Sequence, residues 1–324
     1  MTILAFPERQ TPTVEWYSGV RMAITRRDRF RGCLLGLAIG DAVGTALEFS
    51  THGTFEPITD MVGGGPYQLQ PGQWTDDTSM ALCLATSLVE TGTFDPADQM
   101  ARYCLWVDSG YLSSTGTCFD IGRTVADALA KFRRTGNPFA GSTDSRTAGN
   151  GSIMRLAPVP MFCFPDLDAC LEYAAESSRT THGAPDCVDA CRLLAGILYR
   201  ALAGRDKDEV LLAERDTFSG APGIAAIARG DYLGKSDHQI RGSGYVVQSL
   251  EAALWCVAAT NDFQSAILRA ANLGDDADTT AAVCGQVAGA LYGASAIPPH
   301  WLDRLAMRQE ITRLADRLDH AVAK

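Results

Sequence analysis

The 324-residue sequence lacks several features that mark whole classes of protein. Its longest wholly apolar runs are far shorter than the roughly 20 residues that cross a membrane. No secretory signal is visible, and the ten cysteines include no CxxC pair, which argues against a cysteine zinc site and favours a reducing cytoplasm. With 28 basic and 38 acidic residues, the net charge is −10, so broad binding to nucleic acid or anionic membranes is not expected.

The sequence also lacks the period-two alternation of β-branched residues that is typical of strands. Helical periodicity is present instead, first in an apolar segment that starts at Phe30. It recurs over residues 76–90, 97–107, 121–133, 167–178, 186–203, 207–214, 244–259, 262–272, 278–292 and 301–322. Because no composition break divides the chain, we predict a compact all-α helical bundle that forms one domain over residues 29–324, preceded by a polar, proline-containing N-terminal arm over residues 1–28.

Glycines recur at four-residue spacing in the first apolar helix, at Gly32, Gly36, Gly40 and Gly44. Each glycine inside a helix costs about 1 kcal/mol relative to alanine. Four of them on one face therefore predict a smooth surface against which another backbone packs closely.

Two distant segments open apolar helices with carboxylates and hydroxyls. The first is "WTDDTSMALCL", with Asp76 and Asp77, and the second is "NLGDDADTTAAVCGQVAGALYG", with Asp276 and Asp278. Adjacent carboxylates repel, so each cluster needs something that offsets its charge. For either segment alone, an ordinary helix start is sufficient, with Thr75 as the cap of the first helix and the acids at the positive end of the helix dipole.

The matched pair favours a metal centre over two unrelated helix starts. If the two helices pack together, four carboxylates with a charge of −4 meet, and two divalent cations balance them. The ligands are hard oxygens from carboxylates and threonine hydroxyls, which suit Mg²⁺ or Mn²⁺ rather than zinc.

Three further motifs lie between and around the acidic starts. In "AGNGSIMRLAPVP" the residues Asn150, Gly151 and Ser152 are predicted to open a short helix, whose N–H groups would suit a phosphate. His182 in "TTHGAP" is either a structural hydrogen-bonding residue or part of a site. Tyr245 in "RGSGYVVQSLEAALW" either stacks on a ligand ring or packs in the fold.

Taken together, these motifs resemble the ADP-ribosylglycohydrolase family. The segments "GLAIGDAVGTALEF", "GQWTDDTSMAL", "AGNGSIMR", "TTHGAP", "GSGYVVQSLEAALW" and "DDADTTAAVCGQVAGALYG" occur in the family's order over residues 29–305. The resemblance is strongest to the branch that activates dinitrogenase reductase. It implies an all-α fold with two Mg²⁺ or Mn²⁺ ions in a cleft, and removal of ADP-ribose from modified protein side chains, most often arginine.

The resemblance also implies roles for individual residues. The implied metal ligands are Thr75, Asp76, Asp77, Asp276, Asp278 and Thr279. The implied catalytic groups are Asp77, Glu48 and Asp276, of which Asp77 or Glu48 assists proton transfer from a water activated by the metal ions. The implied substrate-binding residues are Asn150, Gly151 and Ser152 at the phosphates, and His182, Gly244 and Tyr245 along the cleft.

Two positions depart from the family's pattern. Relatives usually carry glycine where Asp275 stands, and this extra carboxylate either supports the metal ligands or perturbs them. The loop "GYLSSTGTCFDIG" has Ser113 near the position where the activating branch holds an acid for the arginine. Asp120 is therefore the predicted partner of the guanidinium, and otherwise a cap for the helix that follows it.

The expected protein is thus a monomeric hydrolase that acts on ADP-ribosylated protein and binds neither nucleic acid nor membrane. The alternative is a non-catalytic ADP-ribose-binding or immunity protein on the same fold, whose N-terminal arm contacts or blocks a partner. The intact set of six ligand residues favours the hydrolase, because a non-catalytic relative would be free to lose them.

Overall fold

Helices supply all the regular secondary structure of the part of the chain that the computed structural model describes, residues 24–321. Apart from short 3₁₀ turns and isolated bridges, no strand occurs in this range, which confirms the all-α prediction. In chain order, helices α1 to α14 span Arg26–Gly44, Asp76–Thr91, Pro96–Ser109, Arg123–Thr135, Pro158–Cys163, Leu167–Thr181, Pro185–Leu202, Lys207–Leu212, Pro222–Ala228, Val246–Ala258, Phe263–Ala271, Ala277–Tyr292, Pro299–Arg304 and Arg308–Ala321.

Each helix predicted from periodicity is present, with two corrections. Residues 301–322 form two helices, α13 and α14, because Met307 adopts a left-handed φ of 53° and the Ala306 N–H leaves the helix to bond the Gly72 carbonyl at 2.9 Å. The prediction that a short helix begins at Asn150 is wrong, because residues 150–155 form turns and α5 begins only at Pro158. Asn, Gly and Ser are poor helix formers, and the Asn150 N–H bonds to Gly244 O at 3.1 Å instead.

The glycine stripe of α1 packs against α12, which carries a stripe of its own with glycines four residues apart at Gly285 and Gly289. The helices run antiparallel, so Gly32 meets Gly289 and Gly36 meets Gly285. A Cβ atom added at Gly36 would lie 2.2 Å from the Gly285 carbonyl oxygen, which is far inside contact distance. The predicted smooth face is therefore real, but the tight partner of α12 is α1 and not α2, the other helix with an acidic start.

Replacing Gly36 with alanine is expected to lower the free energy of unfolding by about 3 kcal/mol, because the new methyl group meets the Gly285 backbone and the Phe263 ring, so the helices must separate. Gly234→Ala is the matched control, since a Cβ there meets nothing within 4 Å. Chemical denaturation of the two variants measures the difference. Equal stability of Gly36→Ala and wild type would contradict the close approach.

The start of α1 lies against α14. Thr25 caps α1, and its Oγ1 accepts the Asp28 N–H at 3.1 Å. Arg31 Nε donates to Asp316 Oδ1 at 2.7 Å, and ion pairs of this kind hold the pKa of Asp316 well below its usual range. Residues 26–28, which the sequence assigned to the N-terminal arm, are therefore helical. The rest of the predicted arm, residues 1–23, lies outside the described residues, and the domain boundary stays a prediction.

One segment, Arg26–Leu47, has the length and mean hydropathy of a membrane span. Inside the fold, 89% of its most apolar window is buried, mainly against α12 and its neighbours. Its apolar character is thus explained by its position in the core. A second, smaller hydrophobic cluster joins α2 to α3 and α4 through residues such as Met80 and Trp106.

Candidate active site

A buried aspartate on α1 organises the first acidic helix start. Asp41 Oδ1 accepts both the backbone N–H and the hydroxyl of Thr75 at 2.9 Å. Its Oδ2 accepts the N–H of Thr78 at 3.0 Å and the Thr78 hydroxyl at 2.6 Å. Thr75 does occupy the cap position of α2, but its own side chain caps nothing. Because Asp41 accepts the N–H groups of Thr75 and Thr78 at the start of α2, the side chains of Asp76 and Asp77 are not needed as caps.

The two acidic starts meet at the centre of the molecule. The Thr75 hydroxyl lies 3.2 Å from Asp278 Oδ2 and 3.3 Å from Asp77 Oδ2. The Thr279 hydroxyl on α12 lies 3.4 Å from the same Asp77 oxygen. The side chains of these four residues are almost wholly buried. Packing of α1 on α12, with α2 tied to α1 through Asp41, therefore joins segments about 200 residues apart in the chain.

Two more carboxylates complete an acidic cluster. Oxygens of Glu48, Asp120 and Asp278 lie within 4.8 Å of one another. Asp120 Oδ1 also accepts the Tyr67 hydroxyl at 2.6 Å, while the N-cap of α4 is Gly122, so Asp120 is not the helix cap that one interpretation proposed. Such a group of oxygens can hold a metal ion.

Electrostatics make this cluster unstable unless something compensates its charge. Burial, followed by repulsion from neighbouring carboxylates, raises the pKa of Asp76, Asp77 and Asp278 well above the usual range. The same causes raise the pKa of Glu48 to about 9, and burial raises the pKa of Asp120 to about 7.

Three buried oxygens of this cluster, Asp77 Oδ1, Asp278 Oδ1 and Glu48 Oε2, have no hydrogen-bond partner among the described residues. Unpartnered carboxylate oxygens are costly in a protein interior. A divalent cation satisfies both the charge and the empty lone pairs. The residues present therefore fit a hard metal ion.

The cluster forms the floor of a cleft of about 270 Å³. One wall is the turn around Asn150, whose Nδ2 donates to Asp276 Oδ2 at 3.1 Å. Backbone bonds hold this turn beside the segment before α10: the Asn150 N–H donates to Gly244 O at 3.1 Å, and the Val246 N–H to Ala148 O at 3.0 Å. The turn, the acidic helix start and the 244–246 segment are thus one connected unit.

The residues predicted to bind substrate separate into two groups. Five line the cleft: Asn150, Gly151, His182, Gly244 and Asp120. Two do not. Ser152 is buried and accepts the Ser178 hydroxyl at 3.1 Å, while the Tyr245 hydroxyl turns away and donates to Asp186 at 2.8 Å. The sequence offered no signal for either outcome, because each depends on a distant partner.

His182 lies in the cleft in a form suited to hydrogen bonding. Burial, assisted by the positive charge of Arg155, lowers the pKa of His182 to about 3, so the ring is neutral at physiological pH. Its Nδ1 lies 2.8 Å from the Thr181 hydroxyl, which fixes the orientation of the ring. A neutral, oriented imidazole of this kind can form a hydrogen bond to a polar group in the cleft without adding a charge there.

Asp275 lies beside the site and does not line the cleft. It has a left-handed φ of 54°, as has Phe49 with a φ of 61°. The two segments exchange backbone bonds of 2.7 Å, from Phe49 N to Asp275 O and from Asp275 N to Ser50 O. These bonds couple the Glu48 loop to the Asp276 loop through main-chain atoms, and the Asp275 side chain takes no part in them.

Replacing Asp275 with glycine is expected to leave activity within about twofold and to raise stability by up to about 1 kcal/mol, because glycine adopts the left-handed conformation without strain. Thermal unfolding and turnover of the same preparation measure both effects. Asp276→Ala is the neighbouring comparison and is expected to be inactive. An inactive Asp275→Gly beside an active Asp276→Ala would show that the metal motif is displaced by one residue.

Known proteins with similar sequences and a solved structure with a similar fold point to the same family. A family model described as ADP-ribosylglycohydrolase matches residues 22–324. The chain is 50% identical to the ADP-ribosylarginine hydrolase Tri1 of Pseudomonas putida (strain GB-1), over 90% of this chain and 78% of the relative. It is 33% identical to the ADP-ribosyl-[dinitrogen reductase] glycohydrolase of Rhodospirillum rubrum, over 90% and 95%. A solved structure titled ADP-ribosylglycohydrolase-related protein complex superposes with a TM-score of 0.82 at 42% identity, covering 92% of this chain and 99% of that one.

Proposed function

This chain belongs to the ADP-ribosylglycohydrolase family, and we propose that it is a hydrolase that removes ADP-ribose from modified arginine side chains. The observation that carries the proposal is the buried acidic cluster on the floor of the cleft, with its unpartnered oxygens intact. The names of relatives at 50% and 42% identity, both ADP-ribosylarginine hydrolases, support the choice of arginine.

We propose that the cluster holds two divalent cations, Mg²⁺ or Mn²⁺. Seven residues would hold or surround them, all through oxygen: Glu48, Thr75, Asp76, Asp77, Asp276, Asp278 and Thr279. When bound, the ions supply Lewis acidity for the ribose hydroxyls and for the attacking water. Their charge of +4 would also offset most of the −5 that the five carboxylates among these residues carry when all are ionised.

The protein's own groups then handle protons and orientation. Glu48 presents an unpartnered Oε2 and lines the cleft, so it is placed to take a proton from the water that attacks the anomeric carbon. The bond from the anomeric carbon to the guanidinium nitrogen breaks through a state that resembles an oxocarbenium ion, and water oxygen takes its place on that carbon. The guanidine leaves with the electron pair of the broken bond and takes up the proton that Glu48 accepted from the water. Asn150 holds Asp276 in place through its amide, at 3.1 Å.

Asp120 has two candidate roles that differ in their consequences. As the partner of the guanidinium it would matter only for arginine-linked substrate. Its place within 4.8 Å of Glu48 and Asp278 instead favours a role in the ion-binding cluster. We therefore expect Asp120→Asn to reduce turnover by about 10- to 100-fold on arginine-linked and serine-linked substrate alike, as for a group that supports metal ligands. A loss confined to the arginine-linked substrate would establish the guanidinium contact.

The decisive experiment is release of free ADP-ribose from arginine-, serine- and nucleic-acid-linked substrates, with Mg²⁺, with Mn²⁺ and with chelator. We expect ion-dependent release from the arginine-linked substrate. Binding of ADP-ribose without release from any linkage would instead identify the non-catalytic protein. Release only from an O-linked substrate would overturn the arginine specificity and leave the metal mechanism in place.

A further inference from the structure

One arginine is wholly buried beneath the cleft without a counter-ion. The side chain of Arg155 is 0% exposed, and it forms no ion pair with a carboxylate of the described residues. Its guanidinium carbon lies 5.0 Å from the centre of the Tyr103 ring. An unpaired buried cation is strongly destabilising, and a cation–π contact offsets only part of that cost. The position therefore calls for a functional explanation.

The two shortest hydrogen bonds of Arg155 connect it to two residues that line the cleft, one directly and one through a threonine. Nη1 donates to the Gly151 carbonyl at 2.6 Å, and Nη2 donates to the Thr181 hydroxyl at 2.7 Å. That hydroxyl in turn lies 2.8 Å from Nδ1 of His182. Gly151 and His182 both line the cleft. The planar fork of one guanidinium thus fixes the turn and the imidazole relative to each other.

The bond to Gly151 also affects the donors of the turn. The Gly151 carbonyl and the Ser152 N–H belong to one peptide unit, so a charged donor on the carbonyl strengthens the N–H as a donor. Within residues 24–321, neither the Gly151 N–H nor the Ser152 N–H donates to a protein acceptor. Gly151 lines the cleft, so its N–H is available to an anion there, and the polarised Ser152 N–H adds to the positive potential of the turn.

The cleft otherwise has little positive charge to offer an anion. Arg123 is the one lysine or arginine that lines it in the described part of the chain. Its side chain is 93% exposed and lies 3.8 Å from Asp127, so solvent and this pair screen its charge. Arg155 lies in a low-dielectric interior, where a charge acts more strongly over the same distance.

We propose that Arg155 is the positioning residue and buried counter-charge for the diphosphate of the substrate. It holds the Gly151 turn and His182 in the binding geometry, and its positive charge compensates the phosphates through the polarised turn. This inference rests on the proposed function, because it assumes an ADP-ribosyl substrate.

The test measures ADP-ribose binding by calorimetry in Mg²⁺ and, separately, Mn²⁺ affinity, on the full chain. Arg155→Met, which keeps bulk and removes charge, is expected to bind ADP-ribose at least about 20-fold more weakly with Mn²⁺ affinity unchanged. Arg155→Lys, which keeps the charge and loses the fork, is expected to lose about threefold to fivefold. Should Arg155→Met fail to fold, Arg155→Lys carries the test with the same two measurements.

The matched control is Arg269→Met, because Arg269 also stacks on an aromatic ring, 4.1 Å above Trp255, and does not line the cleft. It is expected to bind ADP-ribose as wild type does. Wild-type affinity in Arg155→Met or Arg155→Lys would overturn the proposal, as would a parallel loss of Mn²⁺ affinity, which indicates a general structural role. A wild-type protein that binds Mn²⁺ but not ADP-ribose would contradict the proposed function itself.

Discussion

Asp77→Ala is expected to reduce kcat/KM for ADP-ribosyl-arginine by about 10³-fold or more. Asp77 Oδ2 lies beside the hydroxyls of Thr75 and Thr279, and its Oδ1 is buried without a partner. The proposed role of Asp77 is to ligate the metal at the point where both acidic helix starts meet, so its loss should remove transition-state stabilisation. Steady-state release of ADP-ribose at saturating Mg²⁺ or Mn²⁺ measures the effect.

Asp319→Ala provides the control for Asp77→Ala. Asp319 is also a buried aspartate, 6% exposed, but it lies where α1 contacts α14, away from the acidic cluster. There its Oδ1 lies 2.7 Å from Arg26 Nε. Its loss should lower stability and leave kcat/KM within about twofold. The ion-free Asp77→Ala protein should instead be more stable than ion-free wild type, since one repelling carboxylate is gone. If kcat/KM of Asp77→Ala were within tenfold of the wild-type value, Asp77 would not belong to the catalytic site.

Removal of divalent ions is expected to abolish turnover and to lower the melting temperature. A ligand that binds only the folded state stabilises it by about 2.7 kcal/mol at a concentration 100 times its Kd. Here the ion would also relieve repulsion among buried carboxylates, so the change in melting temperature on ion binding should be large. Thermal unfolding with chelator and with added Mg²⁺ or Mn²⁺ measures it, and Asp77→Asn should respond much less. No shift in melting temperature with either ion would contradict the metal site.

The difference in melting temperature between the protein with divalent ions and the protein with chelator should increase with pH. In the ion-free protein the folded state holds protons more tightly than the unfolded state, because the pKa of Asp120 is raised to about 7 and that of Glu48 to about 9. The stability that these protonated groups contribute is fully present below their unfolded pKa values and is lost as pH rises through about 7 and about 9. Ion binding needs the deprotonated forms. The melting temperatures with ion and with chelator should therefore diverge between pH 6 and pH 9.

Local sequence patterns were sufficient for most helices but failed where the chain leaves a helix to meet a distant segment. Periodicity located α2, α6 and α12 closely, since an apolar face must repeat wherever a helix covers a core. It missed the break at Met307, which depends on a bond to Gly72. The Asn-Gly-Ser motif, for its part, predicted a helix at Asn150, where the backbone pairs with Gly244 instead. Neither partner lies within reach of a local pattern.

The sequence by itself determined that the protein is all-α, that two helix starts are acidic and that two helices carry glycine stripes, because these are properties of residue type and spacing. Tertiary structure alone decided which of them meet. It paired α12 with α1, made Asp41 the cap of α2, and brought Glu48 and Asp120 to Asp278. It also turned Tyr245 towards Asp186 and away from the cleft. Buried like charges are tolerated only where a compensating group lies close to them. How close that group lies is set by the packing of helices whose residues are far apart in the chain.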